Sequence, residues 1–128
     1  MKKRLIRSLS RLASFSYQEA YIVNASKEEY VLPEDIVEDV ASIYQIITRR
    51  HSDLITKQQQ EKLQLLYEEI KKLGADFWQK KHFTLMRDFV LFDTQWIKLR
   101  TLSQECLISF NIDINKIAFD EIDGRLII

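Results

Sequence analysis

Apolar positions recur every three or four residues along most of this chain, and the period shortens to two only near its end. In KKRLIRSLSRLA, Leu5, Ile6, Leu9, Leu12 and Ala13 share helical spacing, while Lys2, Lys3, Arg4, Arg7 and Arg11 fall largely on the other faces. SYQE then offers a capping box, with Ser16 as N-cap and Glu19 three residues on. The next stretch admits two structures. One is a short helix through residues 20–23. The other is a hairpin, because AYIVN and EYVL are rich in β-formers and flank the polar turn ASKE.

Pro33 predicts a helix start, since its missing N–H costs nothing in the first turn. Ile36, Val37, Val40, Tyr44 and Ile47 continue as an apolar stripe. Arg49, Arg50 and His51 follow where the negative end of the helix dipole favours cations. TKQQ predicts a further start, with Thr56 and Gln59 as a second capping box. Leu63, Leu66, Tyr67, Ile70 and Leu73 form its stripe, and Gly74 suits the residue just past its end. Asp76 can cap a stretch beginning FWQKK. Leu85, Phe89, Phe92, Trp96 and Leu99 then step by four and three, which predicts one long helix over about 84–104, breakable at Thr94.

At ISFNIDI the period becomes two: Ile108, Phe110, Ile112 and Ile114 alternate with Ser109, Asn111 and Asp113. That is the pattern of a strand with one buried face. KIAFDEI and RLII flank Asp123-Gly124, a strong two-residue hairpin signal. The expected architecture is α+β, mainly α. A single domain over residues 1–128 would be helical, with a small C-terminal antiparallel β-hairpin or meander packed on it.

Composition adds boundaries. Of 128 residues, 46% are hydrophobic and 30% charged, ordinary for one globular domain. Two glycines and one proline leave little flexible loop. No apolar run approaches the ~20 residues that span a bilayer. MKKRLIRSLSRL starts basic, as a signal peptide does, but lacks the uninterrupted apolar segment and small-residue cleavage site. A lone cysteine, Cys106, allows no internal disulfide. A cytoplasmic protein is expected.

Charge changes the picture most. The formal net charge is zero, yet it averages over blocks of opposite sign. Residues 1–12 hold five bases and no acid, whereas residues 13–48 hold seven acids against Lys27. Four of those acids crowd into LPEDIVEDV. On a helix, Glu34/Glu38 and Asp35/Asp39 form two like-charge i,i+4 pairs side by side, which repel. The dipole of the first turn accounts for Glu34 and Asp35 but fades before Glu38 and Asp39. The basic N-terminal helix could fold back onto these acids. They could also present a negative face to a positively charged partner, where such fields speed encounter.

Enzyme machinery is sparse. Two glycines fifty residues apart exclude a Gly-rich phosphate loop. His51 and His82 have no metal-ligand spacing with Cys106. His51 suits a helix end, His82 a surface after two lysines, and Cys106 a small core position. Asp113, Asp120, Glu121 and Asp123 do not match a calcium-binding EF-hand loop. No catalytic residue, metal or cofactor is expected. Phe77 and Trp78 adjoin, so one apolar face cannot bury both fully.

With PEDIVED and the acidic C-terminal FDEIDG, this small, motif-free chain resembles the immunity proteins of bacterial toxin–immunity systems, including those of contact-dependent growth inhibition. The resemblance covers the whole chain in size and style and rests on no diagnostic motif. It implies a non-enzymatic cytoplasmic protein that binds one cognate toxin domain, often a nuclease, and occludes its active site. Glu34, Asp35, Glu38 and Asp39 would face the partner, with Asp120, Glu121 and Asp123 as a second group. No small-molecule substrate is expected, and nucleic acid and membrane are disfavoured. The alternatives are an adaptor subunit assembling through its helical face or C-terminal edge strand, and a nucleic-acid binder using the basic N-terminal helix.

Overall fold

A computed structural model describes residues 1–74, 77–78 and 85–116, together with the backbone of 118–119 and 126–127. The described residues are mainly helical, with six α-helices, and one contiguous apolar core runs through them.

Helix α1 (Lys2–Ala13) buries Leu5, Leu9, Leu12 and Ala13 completely and leaves Ile6 half-buried. It packs on two later helices, α3 (Pro33–Arg50) and α6 (Thr94–Ser109). The predicted apolar face is therefore the central rib of the core. Ser14 ends α1 in an extended conformation, and its Oγ accepts the Tyr17 N–H at 3.1 Å. The cap is thus Ser14, not the expected Ser16. The chain turns directly after the buried Ala13, where Ser14 is buried and Ser16 is exposed.

Helix α2 (Phe15–Gln18) widens into a π-turn over Glu19–Val23, which settles the choice at residues 20–32 for helix over hairpin. A single backbone bond, Val31 N–H to Tyr21 O at 2.9 Å, ties the returning loop to it. Tyr21 and Ile22 enter the core from this turn. Helix α3 (Pro33–Arg50) starts at Pro33 as predicted. It buries Ile36, Val37, Val40, Ile43 and Ile47, with Tyr44 half-buried at the margin. His51 caps its end, donating its backbone N–H to Ile47 O.

Helix α4 (Lys57–Lys71) begins with the predicted capping box complete in both directions: Gln59 N–H to Thr56 Oγ1 at 3.1 Å, and Thr56 N–H to Gln59 Oε1 at 2.9 Å. The Gln59 amide nitrogen also donates to Ser109 O, joining the start of α4 to the end of α6. Tyr67 stacks on Tyr44 with ring centroids 4.5 Å apart and accepts a bond from Gln45, which fixes α4 on α3. The helix ends at Lys71, one residue earlier than Gly74 would require as the first residue past the cap. Phe77 and Trp78 are both half-buried and meet edge to face at 4.7 Å. The expected cap Asp76 lies outside the described residues.

The predicted long helix over 84–104 is two helices, α5 (Met86–Phe92) and α6 (Thr94–Ser109). Asp93 separates them. Its backbone is extended and its carboxylate accepts the Trp96 N–H at 2.8 Å, so the second helix starts afresh. The three-four spacing crosses this break because both helices face the same core. Phe92, the last residue of α5, is left 64% exposed by the turn.

The predicted strand over 108–114 is also corrected. Ile108 and Ser109 are the last turn of α6. Asn111 adopts φ 60°, and its N–H bonds Ile108 O while that of Ile112 reaches back to Leu107 O. This left-handed termination satisfies the final carbonyls. Asn tolerates that conformation better than other residues with a Cβ. From Phe110 on, the helix cap and a 3₁₀ turn (Ile114–Lys116) happen to cover and expose residues in turn, which imitates a strand, whereas Ile108, expected on the buried face, is 68% exposed. Beyond Lys116, Ala118–Phe119 and Leu126–Ile127 pair antiparallel, Ala118 opposite Ile127 and Phe119 opposite Leu126. These four residues are what is described of the expected meander. The turn at Asp123-Gly124 lies outside the described residues.

Candidate functional site

The four acids of α3 do not share one environment. Asp35 and Glu38 are exposed, whereas Glu34 and Asp39 are half-buried on opposite sides of them. Asp39 turns toward α1. The buried Ser8 hydroxyl donates to one of its oxygens, and the Arg4 guanidinium stands 3.6 Å from the other. Glu34 lies near Tyr30, whose hydroxyl pKa is raised by burial first and by the Glu34 charge second. Among the described residues, Asp35 and Glu38 form no ion pair or side-chain hydrogen bond. The run thus divides into an inward acid that joins two helices and an outward group that neutralises no charge among the described residues. Asp120, Glu121 and Asp123 lie outside the described residues, as does His82.

The basic face of α1 is divided in the same way. Arg4 reaches Asp39, Lys2 lies 5.7 Å from the centre of the Phe110 ring, and Arg11 stands 6.0 Å from that of Tyr17. Lys3 and Arg7, one helical turn apart, are exposed and carry no such partner among the described residues. Part of the basic helix does fold back on the acidic one, through Arg4 and Asp39.

The most elaborate polar arrangement lies inside the protein. Gln18 is fully buried, and its Oε1 accepts from Trp96 Nε1 at 3.1 Å and from Arg100 at 3.0 Å. Its Nε2 donates to the carbonyls of Arg11 and Leu12, at 3.1 and 2.7 Å. Arg100 also donates to Val90 O and sits over the Phe15 ring, and burial lowers its pKa. One side chain thereby satisfies the end of α1 and orients two residues of α6. With every donor and acceptor of the amide engaged, this is a structural junction. Nothing in the local pattern marked Gln18, because its partners on α6 are about eighty positions away.

Cys106 is buried in the core, and its thiol is pushed up to about 12 by that burial and then by the neighbouring Glu105 charge. A thiol held there is almost wholly protonated at neutral pH and makes a poor nucleophile. Among the described residues no group of three or more His, Cys, Asp or Glu side chains is arranged to hold a metal. No described helix is long and apolar enough to cross a membrane. A cavity of about 570 Å³ lies beside the end of α6, lined by Gln104, Ile108 and residues 111–115. A smaller one of about 310 Å³ lies between Phe15, Glu19 and Arg87. Neither includes the acids of α3.

The chain matches no protein-family model, no curated protein and no solved structure in comparisons with each.

Proposed function

We propose that this chain is a non-enzymatic protein-binding module of the immunity type. It would work in the cytoplasm and neutralise a cognate toxin domain, as in contact-dependent growth inhibition. The observation that supports this most is the outward group on α3. Asp35 and Glu38 are exposed and unpaired among the described residues, in a helix whose like charges repel at i,i+4. The helix dipole favours Asp35 but has faded at Glu38, so Glu38 is the exposed acid that a binding role accounts for best. A negative face of this kind suits a partner with a positive active site, such as a nuclease, because it steers encounter and covers the groove that would otherwise hold phosphates.

Within this proposal Glu34, Asp35 and Glu38 contact the partner, while Asp39 keeps the face in place through Ser8 and Arg4. A C-terminal hairpin turning at Asp123-Gly124 would bring Asp120, Glu121 and Asp123 as a second acidic group. The module needs no cofactor and has no catalytic residue of its own.

The test replaces Glu34, Asp35 and Glu38 by lysine and leaves Asp39 intact. Association with a candidate toxin domain is then followed at low and high salt. The expected result is an on-rate lower by about tenfold or more at low salt, with the difference fading as salt screens the charges. An unchanged on-rate at low salt would overturn the acidic-face reading.

A further inference from the structure

The outward acids of α3 lie beside an equally unpaired basic ridge. The two ridges are joined where Arg4 meets Asp39 at 3.6 Å. On α1, Lys3 and Arg7 are one turn apart and exposed, and the buried stripe of Leu5, Leu9 and Leu12 occupies the opposite side of the helix. Arg4 and Ser8 form the flank that faces α3. On α3, Asp35 and Glu38 adjoin Asp39 and point away from Ile36, Val40 and Ile43. The exposed surface over the α1–α3 contact is therefore bipolar: a positive stripe and a negative stripe side by side.

Such a surface is complementary to itself. A two-fold axis along the boundary between the stripes turns the molecule over and lays each stripe on the opposite stripe of its copy. This is the isologous arrangement that dominates among homodimers. A purely acidic face could not do this, because like would meet like. We propose that a second copy of this chain docks on the α1–α3 ridges, Lys3 and Arg7 of each copy facing Asp35 and Glu38 of the other. The occupant is identified by charge complementarity, and the inference stands apart from the toxin-binding proposal. The association is weak, since exposed ion pairs contribute little each. It is also strongly salt-dependent. Because Asp35 and Glu38 serve both contacts, a basic partner displaces the copy.

The experiment is sedimentation equilibrium of the full chain alone, over a range of protein concentrations, at about 10 mM and about 1 M salt. Two variants accompany it, K3E/R7E and D35K/E38K. At low salt the average mass of the native chain rises with concentration from that of one chain toward that of two, and at high salt this rise is lost. Each variant alone stays at the mass of one chain. An equimolar mixture of the two associates again, because each supplies the stripe the other needs, and helical circular dichroism equal to that of the native chain shows both variants to be folded. A native chain that stays at the mass of one chain at low salt overturns the proposal. So does a mixture that associates no more than its components. Neither result bears on the toxin-binding test, which reads a different complex.

Discussion

Single side chains carry much of this fold's specificity. Gln18 is the clearest case. Its amide is the shared acceptor for Trp96 and Arg100 and the donor that closes the end of α1. Replacing it by leucine keeps the bulk and strands the buried Trp96 indole N–H, while Arg100 retains Val90 O. Gln18→Leu is expected to cost about 1–3 kcal/mol, the usual penalty for unsatisfied buried groups. Urea unfolding measures that loss, and a midpoint equal to that of the native chain would show that the junction is dispensable. Gln18 was not legible in the sequence, since a glutamine between Tyr17 and Glu19 looks like any polar residue of a surface helix. The burial of Cys106 was legible, because a lone cysteine behaves as a small apolar residue, even though the sequence pattern placed it between a helix and a strand.

At the scale of elements, starts were easier to read than ends. Pro33 and the Thr56–Gln59 box act through residues within one turn, so their effect is visible locally. The cap at Asp93 is equally local, but the unbroken apolar spacing from Phe89 to Leu99 pointed to one helix with Thr94 as its possible break. Two helices that face one core can keep a common period across a cap, and spacing alone does not register the break. The end of α6 was misread for a related reason. A left-handed cap at Asn111 places Phe110 inward and Asn111 outward, which imitates a strand over a few residues. This makes a direct prediction. Asn111→Val forces a β-branched residue into the left-handed region and should destabilise the protein by about 1–2 kcal/mol. Asn111→Gly should be neutral or mildly stabilising. Thermal unfolding of the pair distinguishes this cap from a strand, in which valine would be the better residue and glycine the worse.

For the whole molecule, the charge blocks of the sequence become a surface. The basic N-terminal block and the acidic block after it are brought side by side by the packing of α1 on α3. That juxtaposition could be named from the sequence only as a possibility, because nothing in either helix says which neighbour it will have. The structure assigns each charge a place. Arg4 and Asp39 join the helices, while Lys3, Arg7, Asp35 and Glu38 stay outward without partners among the described residues. The proposed capture of a toxin and the proposed pairing of two copies both draw on this division.

The division between an acid that holds the fold and acids that do not is the point on which both proposals rest. Urea unfolding of Asp39→Ala beside Glu38→Lys tests it most directly. Asp39→Ala removes the partner of the buried Ser8 hydroxyl and of Arg4, and should lower stability by about 1–3 kcal/mol. Glu38→Lys removes repulsion with Glu34 and places an opposite charge four residues beyond it. It should leave stability unchanged or raise it by about 0.2–0.5 kcal/mol. A loss in Glu38→Lys as large as that in Asp39→Ala would contradict the account, because Glu38 would then be holding the fold as Asp39 does.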